Sequence, residues 1–180
     1  MPTTLTRSFL SVLVPGLVGV APWLLALVQH TDATLGFTEY SSLANSLLFA
    51  VAAVAGTIFE GIGTFVEARW DRKLQESHAV KDSWFSYLAR TFQHEPVGYR
   101  YISRLATTLS FELSMLSAAP VFIVGVATLT LLRFPALKWV IALGGPVVLV
   151  LTLAYFSYSA SCTHRTLCET RRELNSRLAA

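Results

Sequence analysis

The fold class is decided by residues 43–73, LANSLLFAVAAVAGTIFEGIGTFVEARWDRK. The first part of this stretch, residues 43–66, carries a single ionisable side chain, that of Glu60. A helix needs about 20 mostly apolar residues to cross the hydrocarbon core of a bilayer, so this part is long enough. The residues that follow, EARWDRK, are mostly good helix formers. The stretch therefore predicts a transmembrane helix that continues for several turns beyond the membrane.

Three more segments have the same character, at residues 8–28, 105–132 and 139–159. They are mostly apolar and do not alternate, whereas the strands of a membrane barrel alternate in polarity, so each segment predicts a helix. The whole chain is 53% hydrophobic and 14% charged, whereas a soluble domain has about 25% charged residues. We predict a single all-α domain, a polytopic membrane protein with four transmembrane helices, surrounded by the lipid bilayer.

The first segment also resembles a signal peptide, because it follows Arg7 and contains GLVGVAP at residues 16–22. However, Pro22 directly follows the small residues and would hinder cleavage, and the apolar run continues beyond it. We predict that this segment is retained as a span.

The basic residues indicate the orientation of the four helices. Residues 68–104 and 160–180 hold most of the lysines and arginines, whereas the two connections on the opposite side hold only Arg133 and Lys138. The positive-inside rule then places both termini in the cytoplasm, with the protein in the plasma (inner) membrane. Because the same rule accounts for the net charge of +3, we predict no nucleic-acid partner.

Residues 68–104 and the tail at 160–180 also predict a small helical cap in the cytoplasm. The tail carries opposite charges four residues apart, which stabilise a helix. Within the loop, one helical face collects the apolar side chains of Trp84, Phe85, Leu88 and Phe92. Such an amphipathic helix lies in the lipid headgroup layer or packs on the protruding helices, and the sequence leaves both alternatives open.

Two acidic residues fall inside predicted spans, Glu60 in the second and Glu112 in the third. A charge at the bilayer centre costs about 3 kcal/mol even on the lenient insertion scale, so these side chains are expected to face protein or water. The two spans run antiparallel at similar depth, which predicts that Glu60 and Glu112 can meet. Nearer the basic side, Glu67 is expected to pair with Arg104.

The face of the second span that carries Glu60 and Glu67 also carries small residues, Ala52, Gly56 and Gly63. Small residues let a neighbouring helix approach closely, so we predict that this face packs against another helix. Together with the protruding helices, this stripe favours self-association. The fourth span adds polar side chains near its inner end. The candidate ion-path residues are Glu60, Glu67, Glu112, Arg104, Tyr155, Tyr158 and His164.

Three roles remain open for the acids: hydrogen-bonded packing between helices, a water-filled vestibule or ion path, and a catalytic or metal site. The acids lack the Glu-x-x-His pattern of di-iron bundles, and the sequence contains no nucleophile elbow, phosphate-binding loop or zinc-protease motif. Cys162, His164 and Cys168 match no standard zinc spacing and lack a fourth ligand. We therefore predict no catalytic residue, no metal and no cofactor.

The leading functional hypothesis is a homo-oligomeric channel or pore in which the intramembrane acids line a path for cations or protons. A membrane-permeabilising effector belongs to the same class. The alternative is a non-catalytic accessory or assembly subunit of a larger membrane complex, with purely structural acids and other membrane subunits as partners. An intramembrane enzyme that uses paired carboxylates is the third hypothesis.

Overall fold

The computed structural model describes residues 2–30, 41–78 and 97–179, and these residues are almost entirely helical. Four α-helices follow one another along the chain: α1 Pro2–His30, α2 Ser41–His78, α3 Val97–Arg133 and α4 Lys138–Ala179. A short 3₁₀ turn, Pro135–Leu137, joins α3 to α4. The predicted all-helical class is confirmed, and each α-helix contains a segment long and apolar enough to cross a membrane. The orientation of the termini remains a prediction.

Three of the helices extend well beyond the predicted spans. α2 continues to His78, and α4 continues to Ala179, so that the fourth span and the predicted tail helix form one helix. α3 begins at Val97, inside the predicted cytoplasmic loop. The predicted amphipathic helix, with Trp84, Phe85, Leu88 and Phe92, lies outside the described residues.

α3 is the central helix, because it packs against α1, α2 and α4. α1 packs against α2 as well as α3, whereas α4 packs mainly against α3. One end of the bundle, which we call the basic end, contains Asp71, Arg104 and His164. The 3₁₀ turn marks the opposite end, which we call the turn end. The cores of the two halves of the bundle are therefore formed by different sets of helices.

α1 and α2 cross at small residues. A side chain at Gly16 would overlap the backbone of Ala52, and a side chain at Gly56 would overlap the backbone of Val12. Further along α2, Gly63 faces the backbone and Cβ of Leu113 on α3. The stripe of Ala52, Gly56 and Gly63 thus contacts helices of its own chain, so it is not available to a second copy.

The core of the basic half joins α3 to α4, with α2 packed against it. It consists of Ile102, Leu109, Leu113, Ala160 and Leu167, with Val66, Trp70 and Leu105 packed around them. In the turn half, α4 leaves an open apolar groove of about 310 Å³ between itself and α3. Phe122, Val126, Val140 and Val148 are among the residues that line this groove.

Candidate functional site

Polar side chains from α2 and α4 converge at the basic end. Glu67 and Asp71 lie one turn apart on α2, and His164, Cys168 and Arg171 lie on successive turns of α4. Glu67 interacts electrostatically with Asp71, His164 and Arg171, and Cys168 interacts with Arg171, Asp71 and Glu67. We call these five residues the basic-end cluster. The cluster forms because α2 and α4 both remain helical beyond their apolar segments and meet there.

A hydrogen bond between two helices lies at the centre of the basic-end cluster. The ring Nε2 of His164 and the Oδ1 of Asp71 are 2.8 Å apart. The side chain of His164 is 4% exposed and that of Asp71 is 34% exposed. Trp70 holds its ring edge-on to His164, with 5.7 Å between the ring centroids. The imidazole is therefore fixed on one side by an aromatic ring and on the other by a carboxylate that reaches solvent.

Cys168 completes a group of three metal-binding side chains in the cluster. Its Sγ, the ring nitrogen of His164 and a carboxylate oxygen of Asp71 all lie within 4.8 Å of one another. Cys168 is buried, whereas Cys162 is exposed. The difference follows from helix geometry, because Cys168 lies one turn from His164 on the same face and Cys162 does not.

The two acids inside the apolar segments, Glu60 and Glu112, are each bound to a serine hydroxyl on a neighbouring helix. The Oγ of Ser159 on α4 donates to Oε1 of Glu112 at 2.6 Å, and the Oγ of Ser110 on α3 lies 3.5 Å from Oε1 of Glu60. The Oε2 of Glu112 is shielded from solvent and has no hydrogen-bond partner in the residues that the structure describes. Glu112 is thus a carboxylate with one oxygen satisfied and one not.

Several predicted site residues do not join this polar interior. Glu60 and Glu112 bond to different helices, and no ion pair joins Glu67 to Arg104 in the described part of the chain. Arg104 is exposed, and Tyr155 and Tyr158 are 67% and 73% exposed on α4. Of the predicted ion-path residues, the structure brings only Glu67 and His164 together in the basic-end cluster.

The sequence contained a signal for Asp71 and Cys168, the two cluster residues that the predicted site did not include. Glu67-x-x-x-Asp71 and His164-x-x-x-Cys168 place two polar side chains on one face of each protruding helix. The spacing of Cys162, His164 and Cys168 predicts no metal site, because it matches no standard zinc pattern and a fourth ligand is missing. The acidic residue that lies beside His164 and Cys168, Asp71, comes from a different helix. Ser110 and Ser159, the partners of the acids, carry no signal beyond being polar residues in apolar spans.

Comparisons of this chain with known protein families, with curated protein sequences and with solved structures gave no match. A proposal for its function therefore rests on the geometry and chemistry of the described residues.

Replacing Ser159 by alanine is expected to lower the free energy of unfolding by about 1–3 kcal/mol, because it leaves both oxygens of Glu112 without a partner. The measurement is thermal unfolding of the purified protein in detergent. Ser161→Ala is the matched control, since Ser161 is exposed and its hydroxyl bonds only to the backbone of Tyr158 on its own helix. Equal effects of the two substitutions would show that the Ser159–Glu112 hydrogen bond contributes nothing.

Proposed function

We propose that this protein is a homo-oligomeric, channel-like membrane protein whose buried acids accept cations or protons. The observation that carries this proposal is the Oε2 of Glu112, a buried carboxylate oxygen with no partner among the described residues. Leaving such an acceptor unsatisfied costs about 1–3 kcal/mol. A proton or a cation bound at this oxygen would neutralise a negative charge whose burial is unfavourable, so Glu112 is suited to take up positive charge.

Further acids extend from Glu112 toward the basic end. Glu60 contacts α3 two residues from Glu112, through Ser110. Glu67 and Asp71 follow Glu60 along α2, and the helical rise places Asp71 roughly 16 Å from Glu60 along the axis. Acids spaced along the interior of a membrane protein are typical of paths for protons and cations. In this proposal the path starts at Asp71, which is partly exposed.

Within one chain, the path cannot continue between α1 and α2, because their backbones touch at Gly16 and Gly56. In this proposal, a conducting route through the turn half runs between copies of the chain. α2 offers a surface for such contacts on a face turned by roughly 110° from Gly56 about the helix axis. Ala50, Thr57, Gly61 and Thr64 lie on this face and are all exposed. Small and hydroxyl-bearing residues are typical of contacts between transmembrane helices.

The test is proton and potassium flux through liposomes that contain the purified protein. The substitution Glu112→Gln keeps the shape of the side chain and an oxygen for Ser159, but it removes the charge. We expect it to lower the flux at least about tenfold, equivalent to a barrier change of ~1.4 kcal/mol. Glu169→Gln is the matched control, because Glu169 is an exposed acid on α4. This substitution is expected to leave the flux unchanged.

The mass of the protein in detergent is measured on the same samples. A defined homo-oligomer is expected. A monomer that passes no more ions than empty liposomes would contradict the proposal, as would equal flux in the wild type and Glu112→Gln.

A second candidate function is that of an accessory subunit in a larger membrane complex. The apolar groove between the turn halves of α3 and α4 favours it, because a groove of about 310 Å³ can receive side chains of a helix from another subunit. The acids would then have a structural role, hydrogen-bonded to Ser110 and Ser159. The mass measurement separates the two candidates: a subunit is expected to be monomeric and non-conducting when purified alone.

A further inference from the structure

We propose that Asp71, His164 and Cys168 form a binding site for a zinc ion, which fastens α4 to α2 at the basic end. The site shares Asp71 with the start of the cation path proposed above, but zinc binding does not depend on ion conduction. It rests on three donor atoms, from two helices, that already lie within 4.8 Å of one another.

The three donors are those that zinc uses in proteins. Zinc binds imidazole nitrogen, thiolate sulfur and carboxylate oxygen at about 2.0–2.3 Å, with tetrahedral geometry. Those bond lengths require separations between donors of roughly 3.4–3.6 Å. The ring nitrogen of His164 and the oxygen of Asp71, now 2.8 Å apart, would move slightly apart. The Sγ of Cys168 would move inward by at most ~1.3 Å, which side-chain rotation allows.

The helices hold these donors in place before the metal binds. His164 and Cys168 lie four residues apart on α4, so their side chains share one face. Both are buried, and the edge-on ring of Trp70 limits the orientation of the imidazole. Two ligands on a rigid helix and one on a neighbouring helix need little reorganisation, which reduces the entropy cost of binding.

The charges in the cluster are suited to a divalent cation. Asp71 and the thiolate of Cys168 together neutralise Zn²⁺, and Glu67, one turn from Asp71, adds a further negative charge. Arg171 opposes this charge from the next turn of α4. The fourth position of the metal can be taken by water. The thiol of Cys168 loses its proton to solvent when the Zn–S bond forms.

The thiolate and imidazole also define the class of metal. A soft sulfur ligand favours zinc over magnesium and calcium, which prefer oxygen ligands only. Cobalt(II) occupies tetrahedral zinc sites and reports a sulfur ligand by thiolate-to-metal absorption, so it serves as a spectroscopic probe.

The experiment uses the full-length protein in detergent, kept reduced by a non-thiol reductant and freed of metal with a chelator. Calorimetric titration with zinc chloride is expected to show one zinc ion per chain, with release of about one proton, and zinc is expected to raise the unfolding temperature. Cobalt(II) is expected to give the thiolate absorption.

The substitutions Cys168→Ser and His164→Gln each remove a metal ligand. Losing a residue that only hydrogen-bonds to a ligand typically weakens metal affinity by roughly 10–100-fold, so we expect each of these substitutions to weaken zinc affinity by more than that. The control Cys162→Ser changes the exposed cysteine six residues away on the same helix and is expected to change neither the affinity nor the cobalt spectrum. Because a ligand variant can fail to fold, helical content is checked by circular dichroism, and the wild-type cobalt spectrum supplies evidence that needs no variant.

Three results would overturn the zinc site: no binding of zinc by the wild-type protein, cobalt binding without thiolate absorption, and equal affinity in Cys168→Ser and Cys162→Ser. The last result would indicate an adventitious site elsewhere in the chain. Ion flux through liposomes is a separate measurement, so loss of the zinc site and loss of the cation path can be told apart.

Discussion

Replacing Gly56 by leucine is expected to destabilise the folded protein by about 3 kcal/mol or more, at the upper end of the range for overpacked cores. A single carbon added at this position would already overlap the backbone carbonyl of Val12. A backbone atom cannot rotate aside as a side chain can, so α1 and α2 would have to separate. Their separation would also break the contact between Gly16 and Ala52.

The measurement is unfolding of the purified protein in mixed micelles, followed by circular dichroism. Gly144→Leu is the matched control, because no atom lies within 4 Å of the position where a side chain would begin. The control is expected to change stability by no more than about 0.5 kcal/mol, because the added side chain begins in open space. Gly56→Ala is expected to fall between the two. If Gly56→Leu and Gly144→Leu were equally stable, α1 and α2 would not cross at these glycines.

Replacing Leu167 by alanine is expected to lower the free energy of unfolding by about 2–5 kcal/mol, as for other leucines in well-packed cores. Leu167 is 1% exposed and belongs to the core cluster of the basic half, with Ile102 and Leu109 of α3. Truncating it removes the packing atoms of one full side chain and leaves a cavity between α3 and α4. Leu151→Ala is the matched control on the same helix, because Leu151 is 65% exposed.

The same substitution has a second consequence that a simple loss of packing elsewhere would not produce. Leu167 immediately precedes Cys168 and holds the tail part of α4 against the bundle. When this contact loosens, Cys168 is expected to react faster with a thiol reagent, while Cys162, already exposed, reacts at an unchanged rate. Unchanged protection of Cys168 in the Leu167→Ala variant would show that other contacts hold this part of α4.

The helices could be predicted from the sequence because the bilayer imposes a local rule. A segment of apolar residues such as 43–66 must be helical to satisfy its own backbone, whatever its neighbours are. Their extension beyond the apolar segments was also predictable in kind, from the helix formers after Glu67. The packing stripe of Ala52, Gly56 and Gly63 followed from helical spacing alone. The helix that packs against this stripe could not be predicted in the same way. The stripe contacts α1 and α3 of its own chain, whereas the sequence favoured a second copy.

The candidate site was less predictable, because it depends on which helices are neighbours. The pairing of Glu67 with Arg104 was inferred from their similar depth, but depth does not specify rotation about the helix axis. Glu67 instead faces α4, where His164 and Arg171 lie. Likewise, Glu112 lies against Ser159 of α4 rather than against Glu60. An antiparallel neighbour alone does not decide which side chains meet.

Hydropathy and helical spacing predict four long helices, with acids in the half that carries most of the basic residues. Hydropathy and helical spacing are properties of consecutive residues, so they need no knowledge of tertiary contacts. The contact of Asp71 with His164 and Cys168 across two helices, in contrast, follows from the folded arrangement of the helices. That contact joins residues 93 positions apart, and it depends on the packing of α3 between α1, α2 and α4, which no local pattern encodes.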